Sequence, residues 1–202
     1  SRTSGLFVAA ITIIISSVLF VGAASGTALY LIIKDGNTSE YEELRSGMKP
    51  WSAPSLDGLS VYVPDDYEEK EKEYFDVSYV KDGAQISLTW EDVDNDLDNY
   101  VYYALDSYRK ATDAFSLRQP DPSQPDPKPV GEFGKMVEFD YTLSLESGEK
   151  KISCLSAFVM GEGKAYILTC TADTDEYASF SDDFYRTYKT MQLVGKKWEK
   201  RQ

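Results

Sequence analysis

The chain has 202 residues, no histidine, and 34 acidic against 21 basic side chains, for a formal net charge of −13. Without histidine it cannot build Ser-His-Asp or Cys-His nucleophile activation, most zinc and iron sites, or the usual near-neutral proton shuttle; carboxylates, Tyr, Lys and two cysteines are left. Its acidity argues against nucleic-acid binding, which needs a basic face, and its 15 Tyr and 9 Phe argue against a largely disordered chain.

The first segment, GLFVAAITIIISSVLFVGAASGTALYLIIK (5–34), carries no charge before its last residue. A bilayer core about 30 Å thick is crossed by roughly 20 apolar residues. Residues 6–33 exceed that and leave room for tilt. A secretory signal has a shorter apolar core and a basic start. Here only Arg2 precedes, and the apolar run continues past Gly22-Ala23-Ala24. The expectation is a retained transmembrane anchor helix over 1–34. Gly22 and Gly26 stand four apart, with Ser25 beside them. Small residues let membrane helices approach closely, so Gly22, Ser25 and Gly26 read either as a helix–helix contact or as the ordinary composition of a span. Arg2 and Lys34 flank the run almost equally and give little orientation. Residues 35–202 hold all 34 acidic and 19 basic residues, a net charge of −15. An anionic cytoplasmic leaflet would repel such a body. This favours a single-pass protein of the cell membrane with its C-terminal domain extracytoplasmic.

Residues 35–37 read as a helix stop, and 38–44 as a short helical turn capped by Thr38. The stretch 35–58, with Gly47, Pro50, Pro54 and Gly58, reads as a tether. A strand over 59–63 ends at Pro64. DDYEEKEKE (65–73) reads as a solvated charged loop. Residues 74–80 alternate, with Phe75, Val77 and Tyr79 on one face. Asp82-Gly83 is a strong hairpin signal, and Ile86, Leu88 and Trp90 continue the alternation beyond it. The period then changes: Tyr100, Val101, Ala104, Leu105 and Tyr108 fall at helical spacing, predicting a helix over 95–111. RQPDPSQPDPKP (118–129) excludes helix and central strand and predicts an extended polyproline-type loop.

Further on, Val137, Phe139, Tyr141, Leu143 and Leu145 share one strand face. Glu138, Asp140, Thr142 and Ser144 share the other, which is expected to meet water or a partner. After a turn at 146–149, residues 152–160 are apolar on both faces and predict a central strand. A turn at 161–163 leads to a return strand over 165–171. A last helix is predicted over 174–191, capped by Asp173 or Thr174, with Asp175 and Glu176 in its first turn and a stripe of Tyr177, Phe180, Phe184, Tyr188 and Met191. The tail 195–202, GKKWEKRQ, is basic. Hairpin-linked strands with helices set against them predict an α+β domain, an antiparallel sheet packed with helices, over 59–194.

Three groups of residues are candidates for function. If the turn spans 161–163, Met160 faces Lys164 and Cys154 falls directly opposite Cys170. Opposed Cβ atoms lie about 4.5–5.5 Å apart, a little wide for a relaxed disulfide. A strained cross-strand bridge in an oxidising compartment and two buried thiols both remain open; with no CxxC motif or basic neighbour, a catalytic redox pair is disfavoured. WEDVDNDLDNY (90–100) places Asp92, Asp94, Asp96 and Asp98 as in a calcium loop. However, the sixth position holds Leu97 instead of Gly and the twelfth Tyr103 instead of Glu. Acids leading into a helix N-terminus account for the pattern, and no metal or cofactor is expected. Finally, Tyr100, Tyr102, Tyr103 and Tyr108 lie on or beside the first long helix, and Tyr177, Tyr185 and Tyr188 on the second. Tyrosines are normal in cores and enriched at interfaces; Tyr102 and Tyr185 are the candidate partner surface.

LSVYVPDDY, FDVSYVKDGAQISLTW, DNDLDNYVYYAL and, above all, KISCLSAFVMGEGKAYILTCTADTDEYASFSDDFYRTYKTM resemble the PsbP-like superfamily. The resemblance covers roughly residues 57–194 and is one of pattern, with no catalytic motif. It implies an antiparallel sheet sandwiched by helices (an α/β/α sandwich). It also implies a non-enzymatic style of function: an accessory subunit that docks on, stabilises or tunes a larger membrane complex. The partners would be an integral membrane protein complex, met through the span and the outer domain, and membrane lipid. Metal or chloride effects of the photosynthetic members do not transfer by residue. Two alternatives stand beside this. One is a pilin-like filament subunit, although Gly5 stands where many pilins have Glu. The other is a small-ligand or cation sensor using the acidic cluster.

Overall fold

The computed structural model describes residues 39–51, 58–70, 77–118, 128–129 and 134–196. The expected anchor over 1–34, with Gly22, Ser25 and Gly26, lies outside the described residues, as do residues 119–127 and 197–202. Among the described residues no helix is long and apolar enough to cross a membrane, which says nothing of strand-built crossings.

In chain order the elements are α1 (Ser39–Leu44), β1 (Met48–Pro50), β2 (Leu59–Ser60), β3 (Tyr62–Pro64), β4 (Glu68–Lys70), β5 (Val77–Lys81), β6 (Ala84–Asp92), α2 (Leu97–Ala111), β7 (Asp113–Leu117), β8 (Lys128–Pro129), β9 (Gly134–Leu145), β10 (Gly148–Gly161), β11 (Lys164–Asp173), α3 (Tyr177–Thr190) and β12 (Gln192–Leu193). The described strands form an antiparallel sheet in the order β4-β5-β6-β11-β10-β9-β7, with β8 also on β9. β1 pairs with β3, and β12 with β2, as two small separate ladders.

The alternation along each strand sends side chains to two cores. On one face, Tyr100, Val101, Ala104 and Tyr108 of α2 pack with Val137, Phe139, Tyr141, Ile152 and Phe158. On the other, Phe180, Phe184 and Tyr188 of α3 pack with Ile86, Leu88, Leu155, Ala157 and Leu168. α2 begins close to where the periodicity put it, because the Asp96 side chain accepts the Asn99 N–H at 2.9 Å and satisfies a free amide of the first turn.

Five expectations need correction. The stretch expected as a tether is partly built into the domain: Tyr41 is fully buried and donates to the Thr190 carbonyl at 3.1 Å, Trp51 joins the α3-side core, and β1 pairs with β3. The charged segment 65–73 is not a solvated loop throughout, because Tyr67 is fully buried and 68–70 form the sheet's edge strand; a row of charges suits an edge, where it discourages further strand pairing. Pro129 belongs to a two-residue strand at the outer edge of β9, an edge position that proline tolerates. α3 starts at Tyr177 instead of 174, and its cap residue Glu176 makes no side-chain capping bond. The expected caps are engaged by the sheet: Asp173 ends β11 and pairs with Lys150 at 2.9 Å, while the Thr174 N–H donates to the Lys151 carbonyl.

The fifth correction concerns register. Gly161 pairs with Lys164, so the β10–β11 turn has two residues, not three. Glu162 and Gly163 take φ of +53° and +77°, both in the left-handed region that two-residue hairpins use. This slips the ladder by one residue from the expected pairing. Leu155 faces Cys170 and Cys154 faces Thr171. One step along a strand reverses the face, so Cys154 lies in the α2-side core and Cys170 in the α3-side core. Both thiols are free and buried, and no cross-strand disulfide joins them.

Candidate functional site

The polar side of β9 is the first place where chemistry-bearing groups meet. Alternation puts Glu138 and Asp140 on the face opposite Phe139, and α3 closes over that face. Glu138 is 9% exposed and covered by the chain's own Tyr177 and Tyr185, so the expectation that this side meets water or a partner fails there. The Tyr177 hydroxyl donates to Glu138 Oε1 at 2.6 Å, and the Tyr185 hydroxyl donates to Oε2. Next to this pair, Arg118 donates through Nε to Asp140 Oδ1 at 2.6 Å and through Nη2 to Ser153 Oγ at 3.0 Å. Ser153 donates to the same Asp140 oxygen, and its hydroxyl lies 3.1 Å from Thr174 Oγ1. The Arg118 guanidinium stands 4.7 Å from the centre of the Tyr177 ring. One network thus joins the end of β7, β9, β10 and the start of α3.

A smaller counterpart lies on the other face. Glu91, at the end of β6, is 2% exposed and accepts the Tyr100 hydroxyl from the first turn of α2. The flank of the same sheet face is polar too: Ser78, Gln85 and Ser87 are buried and bonded to one another. Thr169 and Thr171 stand opposite Ser87 and Gln85 on β11.

Burial, and then the neighbouring carboxylates, push the phenols of Tyr177, Tyr185 and Tyr100 above their ordinary value. Burial also pushes both cysteine thiols up, which makes them poor nucleophiles because the thiolate is the reactive form. The three phenols keep their protons and fasten helix to sheet through their hydrogen bonds to Glu138 and Glu91. Among the described residues no group of three or more His, Cys, Asp or Glu is placed to hold a metal ion. The acids of the 92–98 loop are partly engaged: Asp96 caps α2, which holds its carboxyl below the usual range, and Asp98 pairs with Lys135.

The two tyrosines singled out by sequence part company. Tyr185 is half-buried and bonded inward to Glu138, with its ring edge-on to Tyr188 at 5.7 Å between centroids. Tyr102 is 68% exposed and Tyr103 is 44% exposed, and their rings meet edge-on at 5.5 Å on the outer side of α2. Sequence reasoning missed Glu138 as a meeting point. Its only local signal was the alternation in VEFDYT, and its phenol partners lie 39 and 47 residues away.

No family model matches the chain, and none of the curated proteins is similar to it in sequence. In shape it is similar to a number of solved structures, LpqN and a cyanobacterial PsbP among them. LpqN of Mycobacterium tuberculosis, described as involved in cell envelope biogenesis, aligns with 79% of this chain and 99% of its own at a TM-score of 0.50 and 14% identity. The cyanobacterial PsbP (CyanoP) of Synechocystis aligns with 86% of this chain and 98% of its own at a TM-score of 0.51 and 9% identity. The domain has the PsbP-like fold. At these identities the likeness is one of fold, with no residue roles attached. The PsbP-like domain here keeps its polar networks inside the layers and shows its exposed aromatic pair on α2.

Proposed function

We propose that this chain is a non-enzymatic accessory subunit: a single-pass anchor over 1–34 holding an extracytoplasmic PsbP-like domain that docks on a larger membrane protein complex. The observation that carries the reading is the Tyr102–Tyr103 pair. Among the described residues Val194 is the only other exposed large hydrophobic side chain. α2 buries Tyr100, Val101, Ala104 and Tyr108 against the sheet, so the pair projects from a helix whose inner side is already fixed. Rigid aromatic rings presented from a packed element are the side chains that most often anchor protein interfaces.

Two features of the sequence support the same reading. The apolar run 5–34 is long enough to span a bilayer, and Gly22, Ser25 and Gly26 offer a face on which a second membrane helix can pack closely. The test is purification of the full chain from its membranes in mild detergent, with a Tyr102→Ser/Tyr103→Ser variant and a Gly22→Leu/Gly26→Leu variant alongside. The expected result is co-elution with an integral membrane protein, weakened by either pair of changes. Recovery of lone monomers from wild type under several mild detergents, with both variants indistinguishable from it, overturns the proposal.

A further inference from the structure

The pattern of charge along α2 points to what meets the Tyr102–Tyr103 pair. Asp98, Tyr102, Leu105 and Arg109 follow one another at spacings of three and four, which lines them up as a seam along one flank of the helix. Asp98 lies in the first turn and Arg109 in the last, and the inner side is taken by Tyr100, Val101, Ala104 and Tyr108. Asp98, Tyr102 and Arg109 are exposed, and Leu105 is half-buried at the margin of the α2-side core. The Arg109 guanidinium stands 5.2 Å from the centre of the Phe115 ring, and no carboxylate pairs with it among the described residues. We propose that this seam receives a second copy of the chain, α2 against α2, antiparallel about a two-fold axis. The inference rests on the docking reading above and names the partner met at the aromatic pair: the subunit enters its complex as a pair.

Symmetry is the first argument. A two-fold contact sets residue i of one copy against residue j of the other, and j against i. The antiparallel register that places Asp98 against Arg109 of the second copy also places Tyr102 against Leu105 of that copy. Each match occurs twice, so the seam closes in the order acid on base, aromatic on leucine, leucine on aromatic, base on acid. From Asp98 to Arg109 it runs about 16 Å along the helix. The alternating step of three and four keeps such a seam between two helices over that length. The Tyr103 ring stands edge-on to Tyr102 at 5.5 Å between centroids and props it from the flank.

Charge is the second argument. α2 carries its acid in the first turn and its bases, Arg109 and Lys110, in the last. Two such helices attract when antiparallel and repel when parallel, and the antiparallel pair also opposes the two helix dipoles. A foreign helix would need the same order of charges in reverse; a second copy supplies it by symmetry. Asp98 also reaches Lys135 at 2.5 Å, and Lys110 reaches Asp106 at 2.6 Å. These are solvated surface pairs, which hold weakly, so Asp98 stays available to a second cation. The acidic body resists association, but its charges are screened beyond roughly 8 Å at physiological salt, whereas those of the seam meet at contact. One pair of helices buries less than the roughly 800 Å² per partner of a standard interface, so the dimer is weak and forms with rising concentration.

Sedimentation equilibrium of the full chain in mild detergent tests the pairing. The expected result is a monomer–dimer equilibrium that Asp98→Arg and Arg109→Asp each weaken about tenfold, because the two-fold axis counts every lost pair twice. The Asp98→Arg/Arg109→Asp double variant should return to the wild-type constant. Asp98 and Arg109 also suit the dipole of α2, so a purely structural role makes the double variant the least stable and the least associated; thermal melts run alongside separate stability from pairing. A wild type that stays monomeric at the highest soluble concentration overturns the proposal. So does association indifferent to both single reversals, which contact through the anchor would give. A double variant as weak as the single ones overturns it too, since Asp98 and Arg109 then do not meet. The docking reading is judged apart from this: a monomeric wild type that still co-elutes with an integral membrane protein sinks the pairing alone, and a charge-reversible dimer that captures no membrane protein sinks the docking alone.

Discussion

The two faces of the sheet solve the same problem with different amounts of material. Each buries a carboxylate under a helix and satisfies it with phenol hydroxyls: Glu91 with Tyr100 beneath α2, Glu138 with Tyr177 and Tyr185 beneath α3. The α3 side adds α1, β1 paired with β3, and β12 paired with β2, and its helix is bonded to that outer layer through Thr190 and Arg186. The α2 side has one long helix among the described residues, with Tyr102 and Tyr103 exposed on its back. The more heavily built face is the structural one. The sparer face carries the aromatic pair that the body of the protein does not use.

Removing the two carboxylates tests this asymmetry directly. A buried donor left without a partner costs roughly 1–3 kcal/mol. Glu138→Ala leaves two phenols unpaired and should lower unfolding free energy by roughly 2–6 kcal/mol in urea titrations, while Glu91→Ala leaves one and should cost roughly 1–3 kcal/mol. Equal losses would break the comparison. Alkaline titration comes next. Burial and a neighbouring carboxylate raise the phenols of Tyr100 and Tyr177 above the ordinary value of about 10, so the folded chain keeps protons that the unfolded chain releases. The stability this confers is complete below about pH 10 and declines above it, by about 1.4 kcal/mol per pH unit for each such phenol. Phenolate absorbance of these residues should therefore appear only with unfolding; gradual ionisation of the folded protein would show that the networks are open to solvent. Tyr102→Ser should change stability by less than about 0.5 kcal/mol, as exposed positions do, and a larger drop in thermal melting would mean that the outer side of α2 is structural after all. The smallest expected signal is chemical: neither cysteine should react with an aromatic disulfide reagent in the native state, and both should react in denaturant, because each thiol sits in a different closed core.

Some of this was plain in the order of residues. The spacing of Tyr100, Val101, Ala104 and Tyr108 gave α2 and its inner side, because helical period is a property of neighbouring residues. The same holds for Asp82-Gly83 as a hairpin and for the apolar face of β9. The four quoted segments also pointed to the PsbP-like fold, which the shapes of LpqN and PsbP bear out. Other features depended on what packs from afar. Glu138 sits on the polar side of an alternating strand, and nothing near it in the chain announces that Tyr177 and Tyr185 will close over it. Tyr67 lies among charges and is buried all the same. Asp173 and Thr174 look like helix caps and are taken by the sheet instead.

Local sequence determined the period of each element, the acidic balance, the lack of histidine chemistry, and the apolar and basic ends, since these follow from which residues stand next to one another. Tertiary structure alone decided register and burial. A two-residue turn with Glu162 in a left-handed conformation moves β11 by one position against β10, and one position is enough to send Cys154 and Cys170 to opposite sides of the sheet. The physical reason is the two-residue repeat of a strand: pattern says which residues share a face, but only the closed turn and the packed layers say which face of the neighbour they meet.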